Sequence, residues 1–288
     1  MQHKKTILIT GINGFLGSHL AKKFSSSFKI IGLEYSLDNL FRLGDRSFKV
    51  YATANNNLEE VFEKNFIDII IHTATYYGGK ANNIPKIAET NFIVPFYLLD
   101  LAIKKNVPIF INTDTVLDRY VNPYALTKKQ FLEWLYFRRN EIKVINLQLE
   151  QFYGKESSPN NFIKVMISKL KNNEPVINLT QGDQKRNFVH IYDIVSAFQT
   201  ILNNYPLDVN YSEFQVTTGN PISIKELMLL LKDMIGSSSE LNFGAIPYRN
   251  NELMISKSDN TDLLKLGWEP KYNLIDGLME TLENNRIS

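Results

Sequence analysis

The chain has 288 residues, 44% of them hydrophobic and 22% charged, a balance that supports a sizeable core and excludes collagen-like, coiled-coil and disordered classes. With 32 Lys and Arg against 30 Asp and Glu the formal net charge is +2, so no global field favours nucleic acid or an anionic membrane, and an anionic ligand must be held by a few placed cations. There is no cysteine, which removes disulfides, thiolate metal sites and cysteine nucleophiles, and a reducing, cytoplasmic location is expected. The apolar run before Gly11 is too short for a signal-peptide core, and no apolar stretch of about 18 residues predicts a membrane span.

In chain order, residues 6–10 read as a β-branched strand that breaks at Gly11, and 15–24 as a helix with Lys22 and Lys23 outward. Residues 29–33 read as a strand, 58–66 as a helix and 68–72 as a strand apolar on both faces. A long amphipathic helix over 89–105, a strand over 107–112, a helix over 125–139 and a strand over 143–149 follow. Alternating strands and helices, with strands apolar throughout, predict a Rossmann-type doubly wound parallel α/β sheet with a smaller C-terminal α/β substrate lobe. Residues 1–152 form the expected dinucleotide-binding domain, with returning segments near 188–204 and 213–219 that include a helix at 191–202 and a strand at 214–218. Residues 153–288 are mainly the second lobe, whose short segments lack a simple βαβ pattern.

Gly11-Ile12-Asn13-Gly14-Phe15-Leu16-Gly17 stands between the first strand and first helix. Glycines there let the backbone approach a pyrophosphate, and the helix start supplies unpaired N–H groups, so this turn is the expected cofactor cradle. An acid about 20 residues on holds the adenosine ribose in such folds, and Glu34 is so placed, which favours NAD(H). NADP(H) stays open, because Arg42 or Lys29 would suit a 2′-phosphate.

Tyr124 and Lys128 are one helical turn apart, so both side chains fall on one face. An ammonium near a phenol stabilises the phenolate, which predicts a Tyr124 pKa lowered from about 10 and fit for proton exchange with a sugar hydroxyl or ketone. Thr113, just past the strand at 107–112, lies at the edge where parallel sheets bind ligands and supplies a second hydroxyl. A Tyr and a Lys four apart are usually a surface pair; the glycine turn and Thr113 are what make this one an active-site candidate.

Gly11/Gly14/Gly17, Thr113 and Tyr124-Ala125-Leu126-Thr127-Lys128 resemble the extended short-chain dehydrogenase/reductases that act on nucleotide sugars. The likeness continues through His72-Thr73-Ala74, Asn91, Phe152-Tyr153-Gly154, the stretch from Arg186 to Asp193, and Gly267-Trp268-Glu269-Pro270. The segments Thr75-Tyr76-Tyr77-Gly78-Gly79-Lys80, Ile111-Asn112-Thr113-Asp114, Leu149-Glu150-Gln151 and Phe243-Gly244-Ala245-Ile246 through Glu252 narrow it to the CDP-abequose and CDP-paratose synthase branch. That branch reduces the 4-ketone of a CDP-4-keto-6-deoxyhexose in deoxysugar synthesis for surface polysaccharide.

The resemblance implies roles for single residues. Thr113, Tyr124 and Lys128 match a catalytic triad, with Asp114 beside it. Ala74 and Asn91 join the glycine turn, Glu34, Tyr124 and Lys128 around the cofactor. Thr75, Tyr77, Lys80, Thr113 and Gln151 would contact the sugar nucleotide, and Arg186 and Arg249 would clamp its pyrophosphate. A bidentate guanidinium fits phosphate oxygens; the plainer alternative for each arginine is an ion pair such as Arg249 with Glu252. The family's dehydratases carry Glu where Thr115 stands, and a hydroxyl is no carboxylate base, so dehydration is disfavoured. Gln148 stands where many members have Arg, and the segment from Thr113 to Tyr124 is shorter than usual.

The implied activity is an NAD(P)H-dependent 4-ketoreductase of a nucleotide sugar, with an epimerase that retains NAD as the alternative. His3, His19, His72 and His190 are scattered and predict no metal; His72 reads as a packed side chain rather than a base. The helices at 89–105 and 125–139 match a family dimer interface, so Phe96, Tyr97, Trp134 and Phe137 are expected in a homodimer contact or in the core.

Overall fold

The computed structural model describes residues 4–45, 47–53, 58–78, 83–206, 208–249 and 251–283. The chain divides into two compact units, residues 1–148 with 201–214, and residues 149–200 with 215–288. The elements up to residue 149 are β1 (Thr6–Thr10), α1 (Phe15–Phe24), β2 (Lys29–Glu34), β3 (Lys49–Ala52), α2 (Leu58–Lys64), β4 (Ile69–His72), α3 (Ile84–Ala88), α4 (Val94–Lys104), β5 (Ile109–Thr115), α5 (Pro123–Phe137) and β6 (Lys143–Leu149). Then come β7 (Gln151–Tyr153), α6 (Phe162–Lys171), β8 (Val176–Leu179), β9 (Lys185–Arg186), β10 (Phe188–His190), α7 (Ile191–Asn204), β11 (Tyr211–Val216), β12 (Ile222–Ser223), α8 (Ile224–Ile235), β13 (Glu240–Phe243), α9 (Thr261–Lys265) and α10 (Leu274–Glu283).

A seven-stranded sheet in the order β11-β6-β5-β4-β1-β2-β3 is the Rossmann-type core that the alternating pattern predicts. The order reverses between β1 and β4, the switch point at which such sheets bind ligands. Register places the site: Thr10 pairs with His72 and His72 with Asn112, all in parallel ladders. Gly11 and Thr73 therefore leave their strands level with Thr113, which continues in β5 at the same carboxyl edge. All of β1 and β4 is buried, as strands covered by helices on both faces must be. Leu8, Ile31, Ile70, Phe110, Phe131 and Leu135 form the centre of this core, each fully buried side chain contributing roughly 1.5–3 kcal/mol.

Among the boundaries that differ from the sequence reading, three lie near the site and each has a local reason, while the strand expected at 214–218 runs over Tyr211–Val216. Strand β5 runs to Thr115 rather than 112, so Thr113, Asp114 and Thr115 are strand residues, with the two threonines on one face and Asp114 on the other. Helix α5 starts at Pro123 because the Asn122 side chain accepts the Ala125 N–H at 2.8 Å and proline needs no donor in the first turn. The helix expected over 89–105 begins at Ile84, where Asn83 caps α3, and passes through a π-helical turn over Glu89–Ile93 into α4. Asn91 sits in that turn, fully buried.

The second unit has a core of Tyr153, Ile167, Leu170, Ile177, Leu227 and Leu231. Its strands pair only in twos: β7 with β10 and β8 with β13 in parallel, β9 with β12 antiparallel. Helix α8 carries a capping box between Ser223 and Glu226 and ends at left-handed Gly236. Trp268, buried, donates its indole N–H to the Ser196 hydroxyl at 2.9 Å, while the Asp193 carboxylate accepts the Lys271 and Tyr272 backbone N–H groups. No helix of the described residues is long and apolar enough to cross a membrane.

Candidate active site

The glycine turn is compact enough to exclude side chains. Gly11 has φ +64°, and a Cβ there would stand 2.8 Å from Ala74 Cα. A Cβ on Gly17 would stand 2.1 Å from the Gly11 carbonyl oxygen. Gly14 starts α1 in extended geometry, and no side chain caps the helix, so its amide end is left for an anion. Glu34 ends β2 with Oε2 accepting the Asn13 N–H at 2.9 Å. Arg42 reaches the same residue, its backbone N–H donating to Asn13 Oδ1 at 3.0 Å and its guanidinium to the Asn13 carbonyl at 3.3 Å. The acid and the cation named as rivals for the ribose position thus converge on Asn13.

At the next strand edge, Thr113 donates its hydroxyl to the His72 carbonyl at 2.9 Å. His72 is packed, as expected, with Nδ1 2.8 Å from the Thr10 hydroxyl; burial, and then the Lys128 charge, keep it neutral. Thr10 Oγ1 also accepts the Thr73 and Ala74 N–H groups, both at 3.1 Å, which fixes the segment that packs on Gly11. Asn91 holds the continuation: its amide oxygen accepts the Tyr76 N–H at 2.8 Å, and its amide nitrogen donates to the Tyr76 carbonyl at 2.9 Å and to Thr127 at 3.4 Å. The Thr75 hydroxyl donates to the same oxygen at 3.3 Å. Asn91, expected among the cofactor contacts, is thus engaged by protein groups and acts as a clamp between this segment and α5.

Tyr124 is half-buried in the first turn of α5, with the Tyr77 ring 4.7 Å away. The expected lowering of its pKa is not found. Burial holds the phenol well above the ordinary tyrosine value, Tyr77 and the Asp114 carboxylate push it further up, and a hydrogen bond from Thr115 opposes them. Lys128 is not among the groups that shift Tyr124 here, and burial lowers its own pKa to about 8 despite support from Asp114. Its ammonium has no hydrogen-bond partner. Asp114 bonds to other groups than that ammonium: Oδ2 is 2.7 Å from Lys129 Nζ and Oδ1 accepts the Thr115 N–H at 2.7 Å. Thr115 and Lys129 were not singled out as site residues by the sequence reading. Among the described residues no cluster of three or more His, Asp or Glu is placed to hold a metal.

In the second unit, Arg186 is buried and its guanidinium donates to Glu252. Burial disfavours its charge, Glu252 and Glu150 support it, and the nearby Arg249 opposes it. The local Arg249–Glu252 pair considered from sequence gives way to Arg186–Glu252, while Arg249 is exposed and its carbonyl accepts the Glu252 N–H at 3.0 Å. Glu150, also buried, accepts the hydroxyls of Ser256 and Ser258 and the Asn187 amide. Gln151 is exposed at the start of β7, and Lys80 lies outside the described residues.

A dinucleotide fits the first unit's residues. Its glycine turn has no space for a Cβ at Gly11 or Gly17, the start of α1 is uncapped, and the Lys128 ammonium is buried without a hydrogen-bond partner. Residues 7–216 match the model of the NAD dependent epimerase/dehydratase family. The chain is 34% identical to a CDP-abequose synthase of Salmonella typhimurium, over 97% of this chain and 98% of that protein. It is 30% identical to a CDP-abequose synthase of Salmonella muenchen, over 96% and 97% respectively. The fold superposes on the UDP-glucose 4-epimerase of Thermotoga maritima, solved with UDP-glucose, with a TM-score of 0.87, 24% identity and 98% of each chain covered. By the match of residues 7–216 and this end-to-end likeness, which include the glycine turn and the Thr113, Tyr124 and Lys128 positions, the chain belongs to the NAD dependent epimerase/dehydratase family.

Proposed function

We propose that the protein is an NAD(P)H-dependent reductase of the C4 ketone of a 4-keto-6-deoxyhexose nucleotide, CDP-linked. The observation that carries this reading is the 34% identity to a CDP-abequose synthase across both whole chains. Bound at the glycine turn, reduced nicotinamide would supply the hydride for C4. Tyr124 donates the proton that completes the hydroxyl, Thr113 and Thr115 hold the reacting oxygen and the phenol, and Lys128 stabilises the phenolate left behind. A phenol held well above its usual pKa keeps its proton at neutral pH, which suits an acid in reduction. Thr115, which hydrogen-bonds Tyr124, leaves no carboxylate base at that position for dehydration.

Thr75, Tyr77, Lys80 and Gln151 contact the sugar nucleotide in this reading, and Arg186 and Arg249 hold its diphosphate. NAD(H) is the preferred cofactor, because the Glu34 carboxylate at the end of β2 repels a 2′-phosphate. A retained-NAD epimerase is the second reading, favoured by the same glutamate. The chain acts as a homodimer through α4 and α5, where Tyr97 and Phe137 are exposed and Phe96 stacks on Trp134 at 4.8 Å. Incubation with CDP- and dTDP-4-keto-6-deoxyglucose and either reduced cofactor, with the product identified by NMR, tests the substrate class. Turnover of the dTDP sugar alone contradicts the CDP assignment.

A further inference from the structure

Asp114 is an enclosed charge near Tyr124, and its ion-pair partner is not the lysine of the Tyr-Lys pair. Its side chain is fully buried and that of Lys129 is 15% exposed. Lys129 Nζ lies 2.7 Å from Asp114 Oδ2 and also donates to the Thr115 carbonyl at 2.7 Å. The Thr115 N–H fills Oδ1, and the Asn146 amide reaches Oδ2 at 3.4 Å. Both oxygens are engaged by protein donors, and the cation among those donors is Lys129. Consecutive helical residues project about 100° apart, which lets Lys128 and Lys129 serve different partners from adjacent positions.

We propose that Lys129 is a positioning residue: through its ion pair with Asp114 it ties the strand carrying Thr113 and Thr115 to the helix carrying Tyr124 and Lys128, and it cancels a carboxylate charge that would oppose a phenolate at Tyr124. The proposal rests on the reading of Tyr124 as proton donor. Two bonds from one ammonium to consecutive residues of β5 fix the end of that strand against α5. The charged and titratable groups facing this pair are Tyr124 and Lys128 on α5 and Tyr211 on β11, each of which feels the Asp114 charge, while Tyr77 acts on Tyr124. Glu213 on β11 also faces it, sharing Asn146 with Asp114 and bonded by Tyr211. Asp114 raises the pKa of both Tyr124 and Lys128, whereas Lys129 lowers that of Lys128, so the two halves of the pair act in opposite directions. An unpaired buried carboxylate is strongly unfavourable, so losing Lys129 is felt at its neighbours.

The test places 3,5-difluorotyrosine at position 124, where fluorination brings the phenol into an accessible range, and follows its ¹⁹F titration in the full chain with cofactor bound. Lys129→Met is expected to raise the phenol pKa by about one pH unit, a tenfold change in proton affinity, and Asp114→Asn to lower it. Lys129→Arg should stay near wild type, and the Asp114→Asn/Lys129→Met double variant should return towards it. In turnover, Lys129→Met should lose about tenfold or more in kcat with KM little changed. If Lys129→Met does not fold, the double variant and Asp114→Asn still give the sign. Shifts of the same sign in the two single variants, no shift in Asp114→Asn, or a double variant as far displaced as Lys129→Met overturn the proposal. The titration needs no sugar substrate, so a wild-type chain that reduces no keto sugar contradicts the proposed activity and leaves the Lys129 result standing.

Discussion

Lys128 and Lys129 are neighbours on α5 with opposite surroundings: the Lys129 ammonium is 2.7 Å from the Asp114 carboxylate, while the Lys128 ammonium is buried without a hydrogen-bond partner. The cost of that unpartnered charge is legible in its pKa of about 8. Unfolded, a lysine titrates near 10.4, so between about pH 8 and 10.4 the unfolded chain binds more protons and stability rises with pH; below that window the site opposes folding by about 3 kcal/mol at most. Lys128→Met should therefore raise the melting temperature of the cofactor-free protein at pH 7, and raise it less at pH 10, while abolishing turnover. A melting temperature lowered at pH 7 contradicts this account.

Tyr124→Phe removes a proton and little volume. Turnover should fall by roughly 10²–10⁴, the range for loss of a general acid, with cofactor affinity unchanged by fluorescence titration. More than about a tenth of wild-type kcat would remove Tyr124 from the chemistry.

Glu34 and Arg42 both engage Asn13, and the proposed preference for NAD(H) rests on the Glu34 carboxylate. Calorimetric titration should give tighter binding of NAD(H) than NADP(H), and Glu34→Ala should narrow the difference. Equal affinities in the wild type would assign the ribose position to Arg42.

Arg186 is buried against Glu252, so deleting its charge would unfold as well as inactivate, at about 3–5 kcal/mol for a broken buried pair. Arg186→Lys keeps the charge and loses the bidentate fork. KM for the sugar nucleotide should rise about tenfold with kcat within about threefold. An unchanged KM would leave Arg186 as a purely internal partner of Glu252.

Much of the first unit was readable because its strands are long, apolar and punctuated by glycine: β1, β2 and β4 begin and end within a residue of the positions that periodicity gives. Tyr124 and Lys128 can be singled out as a pair from sequence because one helical turn is a local feature, whereas Thr113 lies inside β5 and not at the strand end that the local pattern suggests. What sequence missed is long-range. The partner of Asp114 is 15 residues away and that of Arg186 is 66 residues away, and no local spacing encodes either. Thr115 was assigned only a missing carboxylate, because the strand was ended at residue 112 and its hydroxyl could not be placed beside Tyr124. Strands such as β9 and β12, two residues each, are too short to carry a period.

Net reduction is distinguished from epimerisation by cofactor stoichiometry, since an epimerase would use the same Thr113, Tyr124 and Lys128. A reductase consumes one reduced cofactor per sugar and releases it oxidised. Purified protein mixed with CDP-4-keto-6-deoxyglucose and excess NADH should lose 340 nm absorbance in one-to-one proportion to the sugar added. Interconversion of two C4-hydroxyl sugar nucleotides with no added cofactor and no net absorbance change would contradict the account and establish the epimerase.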